Sequence, residues 1–506
     1  MTDHLEVEDK LEAPLDDTGL PPLDEVAGVA SVGDPEHQEL EATYVDTEDL
    51  ALARAHITLR RRTGGGDAGW HAKLPTGDGR WEVHEPLGEA DVVPAPLRAL
   101  LTGVTRGAPL APIALVRTHR TVVRLHGGDG AVLAEVADDR VTAQSPPGAP
   151  QTPRAWREWE VELVDGDPPL LRAVAARLAE AGAAPARTES KLQRALGDRA
   201  PRAEPDAGLE EDEQRATAVV GDRLRGLVAQ VHTQDPLARA DAPDALHSMR
   251  VAVRRLRSAL ATYRPLLDRT VTDPLRTDLH WVAGLLAEAR DDEVLRQSLL
   301  ARIDDLPPEQ VRGRVRDFVD TELRTAHRRA HQRAVEALST DRYFAVLDRL
   351  DALAAHPPWC EEADQSDLAV LRRRVRHDLK RVERAVAALD EAPRAERGTR
   401  LHAVRKAARR ARYAAEPLVP LDGKPAKRFV AAMKDLQSAL GDHQDDAVAR
   451  GALRTLGDRA TSAGENAYTL GLLEAAVSQD AATRRSEFRE AWAGAGRKKV
   501  RRWVSG

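Results

Sequence analysis

A cationic helix written twice limits the fold of this 506-residue chain more than any other feature. His247 to Leu267, HSMRVAVRRLRSALATYRPLL, returns 155 positions later as His402 to Ala415, HAVRKAARRARYAA. His247, Arg250, Arg254, Arg255 and Arg257 align with His402, Arg405, Arg409, Arg410 and Arg412. Offsets of 3, 7 and 10 from each His put one His and three Arg along a single stripe, because residues three and four apart are neighbours on an α-helix. A second echo follows in nearly the same register, Leu286-Ala-Glu-Ala-Arg-Asp291-Asp292-Glu-Val294 against Leu440-Gly-Asp-His-Gln-Asp445-Asp446-Ala-Val448. Residues from about 210 to 490 therefore read as two copies of one helical unit, a period too long for a solenoid of roughly 20 to 50 residues per repeat.

Upstream the pattern changes. Segments 56–63, 69–75, 80–87, 115–126, 131–139 and 156–164 read as short strands between Gly, Pro and Asp clusters, which favours antiparallel hairpins. Two helical stretches interrupt them, at 90–102 and 169–181, and Pro201, Pro205 and Gly208 mark a linker. The fold class expected is multidomain α+β, with a β-rich domain at 1–200, a linker at 201–212 and an all-α domain at 213–495. The basic tail Arg497-Lys-Lys-Val-Arg-Arg502 reads as a solvated end.

The chain is 42% hydrophobic and 31% charged, enough for real cores and too apolar for a disordered protein. Its single cysteine, Cys360, excludes a disulfide framework and a cysteine-based zinc site. No basic leader, apolar signal core or membrane-length apolar run is present, so a cytoplasmic protein with no membrane partner is expected. The net charge of −7 argues against a protein basic all over. Positive charge is instead focused on particular helices, as a groove for a polyanion requires.

In the first domain, charges recur at alternate positions, which on a strand share one face. Glu6, Glu8 and Lys10 do so, as do Arg60 with Arg62, His71 with Lys73, and Glu158 with Glu160 and Glu162; Arg117 adds a further strand charge. For one strand the ordinary reading is a solvated outer face. Across several strands carrying both signs, the pattern points to a polar lumen. Carboxylates on some strands can hold Mg²⁺ or Mn²⁺ through oxygen, while cations on others neutralise phosphate oxygens, the combination phosphoanhydride hydrolysis needs.

These residues, with LEATYVDT (40–47), TLRRRTGG (58–65), GWHAKLP (69–75) and WREWEVEL (156–163), resemble the CYTH family, the triphosphate tunnel metalloenzymes. The resemblance covers residues 1 to about 200 and implies an eight-stranded antiparallel tunnel that binds triphosphate and a divalent metal. It implies that Glu6 and Glu8 are metal ligands and Lys10 a triphosphate contact. It further implies that Arg60, Arg62, Lys73 and Arg117 are basic tunnel positions, and that Glu160 and Glu162 supply a metal ligand and help activate water. Glu135 is a further lumen carboxylate under this reading, and Arg120 and Lys191 are further phosphate contacts.

In the second domain, metal binding by His247 or His402 is disfavoured, since neither an HExxH pattern nor a neighbouring cysteine accompanies them. His327 and His331 sit among Arg324, Arg328, Arg329 and Arg333 and read as basic surface. The run 372–384, with Arg373, His377 and Lys380, would alone be a solvated face, but the duplication strengthens a binding reading. Lined-up guanidiniums grip phosphate oxygens, and their binding is salt-dependent. Polyphosphate, nucleic acid and acidic protein are all candidates; nucleic acid usually needs stacking platforms, and aromatics are only 3% of the chain, so inorganic polyphosphate or tripolyphosphate fits best. The motifs at His247–Arg257, Arg290-Asp291, His402–Arg410 and Leu440-Gly-x-His443 resemble the CHAD domain. That resemblance implies two four-helix bundles related by pseudo-twofold symmetry, with a basic surface and pore for polyphosphate. Gln444 stands where the first copy has Arg290, so unequal binding by the two halves is expected. The combined expectation is a polyphosphate-binding protein with a metal-dependent tripolyphosphate hydrolase domain. A non-catalytic scaffold and a nucleotide triphosphatase or cyclase are the alternatives.

Overall fold

A computed structural model of the chain describes residues 2–14, 18–77, 79–89, 92–144, 153–186, 188, 190–201, 215–361, 363, 367–393, 396–479 and 481–505, with side chains at 441–447, 478–486 and 504–505 outside that set. The linker expected at 201–212 falls almost wholly outside the described residues, as do the side chains of His443 and Gln444. The chain divides into two compact units, residues 1–204 with 232–242, and residues 205–231 with 243–506. Among the described residues no helix is long and apolar enough to cross a membrane.

The first unit is built on strands β1 (Thr2–Glu6), β2 (Glu8–Glu12), β3 (Ser31–Val32), β4 (Glu36–Asp46), β5 (Thr58–Thr63), β6 (Gly69–Pro75), β7 (Arg80–Glu85), β8 (Ala111–His126), β9 (Val132–Gln144), β10 (Arg154–Leu163) and β11 (Ala184–Pro185). They hydrogen-bond in the order β1-β7-β6-β5-β4-β8-β9-β10-β2-β11, with β3 added beside β8. Only Val7 separates β1 from β2, yet β1 pairs with β7 and β2 with β10. A single bent N-terminal strand thus joins both ends of the sheet, which closes into an antiparallel barrel of eight principal strands. Gly79 permits the closure, since a Cβ there would sit 2.3 Å from the Glu6 carbonyl oxygen.

Strand alternation sorts the barrel wall. Trp159 and Val161 of β10 face outward and are buried with Val123, Leu125, Ala134 and Val136 under Leu170, Val174 and Leu178 of one helix. Glu158, Glu160 and Glu162 therefore face the lumen. The helices of this unit are α1 (Ala51–Arg54), α2 (Ala95–Thr105), α3 (Pro168–Glu180), which provides that cover, and α4 (Lys191–Leu196). Asp167 caps α3 by accepting from Leu170 N, and Ser190 caps α4 by accepting from Gln193 N. Leu192 and Leu196 of α4 pack with Ala42, Tyr44, Val116 and Trp156, so this short helix seats against the interior side of β4 and β8.

The second unit is helical: α5 (Ala216–Arg239), whose residues from His232 onward belong to the first unit, then α6 (Ala245–Thr262), α7 (Arg269–Asp304), α8 (Val315–Leu338), α9 (Asp341–Ala355), α10 (Leu368–Asp390), α11 (Arg397–Ala415), α12 (Val419–Ser462), α13 (Tyr468–Gln479), α14 (Ala481–Gly496) and α15 (Lys498–Ser505). Adding 155 to the bounds of α5, α6 and α7 lands on α10, α11 and α12; α8 falls on α13 with α14, and α9 on α15. The duplication in sequence is thus a duplication of helix order. α6 is amphipathic, with Leu246, Met249, Val253, Leu256 and Leu260 buried beside the cationic stripe. Leucines and valines of α7, α8, α12 and α13 from both halves share one core. The basic tail is not a solvated end. It forms α15, in which Val500 is buried and Trp503 Nε1 donates to Asp422 Oδ2 at 2.9 Å, because its apolar residues are spaced for one helical face.

Candidate functional site

The barrel encloses a cavity of about 570 Å³ lined by charges of both signs. One wall is acidic. β2 and β10 pair so that Lys10 lies opposite Glu160 and Glu8 opposite Glu162. Lys10 Nζ stands 3.0 Å from Glu8 and 3.1 Å from Glu160, and the ammonium is held above its ordinary range, these carboxylates outweighing burial. Lys73 Nζ bridges Glu6 and, at 3.7 Å, Glu82.

Asp139, Glu158 and Glu160 bring three buried carboxylates within 4.8 Å of one another, close enough to share one cation. Lys191 of α4 reaches all three, at 2.8, 2.6 and 2.7 Å. Arg120 adds a bidentate contact to Asp139 (2.8 and 2.6 Å) and another to Glu160 (2.6 Å). That cluster already has its positive partners.

In a second group, Glu6, Glu8 and Glu162, Lys73 pairs with Glu6 and Lys10 with Glu8, and against burial these two lysines hold the Glu8 carboxyl below its ordinary range. Glu6 Oε2 is buried with no hydrogen-bond partner. The Glu162 carboxyl is pushed up to about 7 by burial and then by Glu6, Glu8 and Glu160, while Lys73 opposes the shift. Three neighbouring carboxylates with two lysines between them, one oxygen unpartnered and one carboxyl raised, fit a hard divalent cation with oxygen ligands. Glu6, Glu8 and Glu162 are the residues that would hold it.

The facing wall is basic. Arg60 and Arg62 of β5 project into the cavity with Nε atoms that are buried and unpartnered. Burial, Arg60 and Arg120 push the Arg62 guanidinium down to about 9 against Glu82 and Tyr44, whereas Tyr44, Glu82 and Glu6 outweigh burial and hold Arg60 above its ordinary range. Arg62 also pairs with Asp67 across a loop. Two neighbouring guanidiniums on one wall, each with an unpartnered donor, suit the oxygens of a polyanion.

Most of the residues singled out from sequence meet in this lumen: Glu6, Lys10, Arg60, Arg62, Lys73, Arg120, Glu135, Glu160, Glu162 and Lys191 all line the cavity. Arg117 does not. In β8 the residues turned inward are Val116, Thr118, Arg120 and Arg124, so Arg117 lies on the outer face, half exposed and paired with Glu41 at 2.8 Å. One step of register moves a side chain to the other face, and the evenly charged run RTHRTVVR gave no hydrophobic alternation to fix that step. Glu135 lies directly opposite Glu162 in the pairing of β9 with β10 and is held by Arg124 at 2.8 Å. Arg124, Asp139, Tyr44, Glu82, His71 and His84 complete the chemistry. Of these, Glu82 and His84 could have been found from their alternate spacing on β7; His71 Nδ1 lies 2.7 Å from Glu82 Oε1.

In the helical unit, four matched arginines come together. The Arg409 guanidinium is pushed down to about 10 by burial and then by Arg254, Arg405 and Arg250. Arg254 is lowered by burial, Arg250 and Arg405, with Tyr413 opposing. Arg250 pairs with Asp291 at 2.5 Å, whereas no carboxylate among the described residues pairs with Arg254, Arg405 or Arg409. The other stripe arginines are engaged elsewhere. Arg255 and Arg412 lie 3.6 and 3.4 Å from Glu416, and Arg410 lies 2.8 Å from the buried Asp378. Arg257 neighbours Arg276. His247 and His402 are exposed, as are Arg373, His377 and Lys380 on α10.

Residues 4–196 match the CYTH domain model and residues 222–454 the CHAD domain model. A protein of Mycobacterium tuberculosis described as uncharacterised is 40% identical over 487 residues, 93% of this chain and 92% of that protein. Among solved structures, PptA from Streptomyces chartreusis is 26% identical with a TM-score of 0.46, spanning 55% of this chain and 98% of its own. The CHAD domain from the plant Ricinus communis is 24% identical with a TM-score of 0.45, spanning 56% and 92%.

Proposed function

Since this chain belongs to the proteins that join a CYTH domain to a CHAD domain, we propose that its tunnel hydrolyses inorganic tripolyphosphate or the ends of polyphosphate, and that its helical domain binds the polymer. The observation that carries this reading is the division of the lumen. Glu6, with an unpartnered carboxylate oxygen, and Glu162, raised by its carboxylate neighbours, share the lumen with Arg60 and Arg62, whose Nε donors are unpartnered. A triphosphate would meet those donors, and Mg²⁺ or Mn²⁺ those carboxylates.

Arg60, Arg62 and Lys73 would hold phosphate oxygens and stabilise charge that builds as the phosphoanhydride bond breaks. Lys10 and Lys191 orient Glu8 and Glu160 from within the carboxylate wall. Glu162, as the third carboxylate beside Glu6 and Glu8, would help to hold the cation and orient an attacking water. A divalent cation at the Glu6 group would polarise the phosphoryl oxygens and position that water.

A second reading, a tunnel that binds triphosphate without cleaving it, is favoured by one feature: Glu160 is already satisfied by Lys10, Arg120 and Lys191. Phosphate release from tripolyphosphate, measured with Mg²⁺, Mn²⁺ or chelator and beside ATP, separates the two. Metal-dependent release that Glu6→Gln plus Glu8→Gln lowers by a hundredfold or more, about 3 kcal/mol, is expected. Tight binding with no release gives the tunnel a sensing role, and faster turnover of ATP gives it nucleotide chemistry.

A further inference from the structure

The internal repeat of the helical unit builds the same pocket twice, and the two copies have opposite chemistry. One cavity, about 440 Å³, lies between α5 and the α11–α12 junction, with Val219, Asp222, Arg223, Gly226, Pro417 and Pro420 on its walls. The other, about 250 Å³, lies between α10 and the end of α6. Shifted by 155 positions, Val219, Asp222, Arg223 and Gly226 fall on Arg374, His377, Asp378 and Arg381, all four of which line the second cavity. Each pocket therefore combines the first helix of one half with the end of the second helix of the other.

The second pocket carries five guanidiniums, those of Arg264, Arg276, Arg374, Arg381 and Arg410. Two carboxylates answer them. Asp273 pairs with Arg264 and Arg276. Asp378, 1% exposed, lies 2.8 Å from Arg410 and 3.6 Å from Arg381 and accepts from Thr262 Oγ1 at 3.2 Å. Among the described residues Arg374 has no carboxylate partner, and the Nε atoms of Arg264, Arg276 and Arg374 are buried without hydrogen bonds. The site is distinct from the four-arginine cluster, because Arg409 and Arg410 are consecutive on α11 and point about 100° apart.

We propose that this pocket is a dedicated site, one per chain, for a short multiply charged phosphate, either free pyrophosphate or the end group of a longer chain, and that its symmetry mate is not. Five forked donors answered by only two carboxylates suit the several oxygens of adjacent phosphates. A volume below the roughly 300 Å³ of small-molecule pockets excludes a bulky ligand, and no Phe, Tyr or Trp lines it to stack a base. The mate replaces two of the arginines by Val219 and Gly226 and puts Asp222 on its wall.

The test is calorimetric titration of the full chain with pyrophosphate under chelator, comparing the natural sequence with Arg374→Gln plus Arg381→Gln and with Gly226→Arg. Both outer arginines are accessible and a side chain at Gly226 meets nothing within 4 Å, so folded variants are expected and circular dichroism checks this. The double variant should lose one equivalent of pyrophosphate, or bind it about tenfold or more weakly at that site. Gly226→Arg should strengthen binding at the mate. Identical stoichiometry and affinity in the natural chain and the folded double variant overturns the proposal. Repeating the titration with long-chain polyphosphate assigns the source: a matching loss means chain ends, no change means free pyrophosphate. The proposal stands apart from the reading of the tunnel and of the four-arginine cluster. A chain that binds pyrophosphate here and no long polymer would sink that reading alone.

Discussion

Glu162 is the residue at which the tunnel's charge imbalance becomes measurable. Its carboxyl, ordinarily near 4.5, is raised to about 7 by burial and by Glu6, Glu8 and Glu160. A raised carboxyl means the folded chain holds the proton more tightly than the unfolded chain. Stability from this group is therefore complete below about 4.5 and declines as pH rises through about 7, by on the order of 3 kcal/mol. Denaturant unfolding in chelator at pH 5 and pH 8 should show this loss in the natural chain and little of it in Glu162→Gln. Adding Mg²⁺ or Mn²⁺ at pH 8 should restore stability to the natural chain by mass action and do less for the variant. Equal pH slopes in the two proteins would remove Glu162 from the carboxylate group of Glu6 and Glu8. The position itself was legible from sequence, because Glu158, Glu160 and Glu162 alternate on a strand whose intervening Trp159 and Val161 name the outer face. Arg117 was misplaced for the converse reason: its strand carries charge on both faces, so composition does not tell inside from outside.

At the scale of elements, α4 is a six-residue helix that could not stand alone in water, since helices this short do not repay nucleation. Its seat is tertiary. Ser190 caps it, Leu192 and Leu196 bury against Trp156 and Tyr44, and these contacts deliver Lys191 to three carboxylates. Ser190→Ala should lower stability by about 1 kcal/mol and Leu192→Ala by about 2 to 5 kcal/mol, both read by chemical denaturation. Two variants as stable as the natural chain would mean that the helix is not seated as described. Sequence placed Lys191 among the phosphate contacts, but it could not show that its first partners are Asp139, Glu158 and Glu160. That grouping depends on three strands and a helix distant in sequence, and no local pattern encodes it. The basic tail failed as a solvated end for a related reason. Val500 and Trp503 look like two stray apolar residues until Asp422 and Phe429 supply the surface they cover.

For the whole molecule, duplication does what neither half does alone. Arg250 and Arg254 come from the first copy, Arg405 and Arg409 from the second, and their mutual repulsion is evident in the lowered Arg254 and Arg409 guanidiniums. A fold that keeps like charges together at that cost gains most when a polyanion is bound. On the proposed reading, joining such a receptor to the tunnel in one chain would raise the local concentration of polymer ends, without any new contact at the lumen. Long chains should then benefit and tripolyphosphate should not, because the benefit requires a polymer that both domains can hold. In the full chain, Arg254→Gln plus Arg409→Gln should therefore raise KM for long polyphosphate about tenfold or more relative to KM for tripolyphosphate. The salt dependence of polymer binding should become shallower as well, since fewer counterions are released when two cationic contacts are gone. Kinetics on both substrates across a salt series decide the matter: if the ratio of the two KM values stays where the natural chain has it, the duplicated stripes do not serve the tunnel.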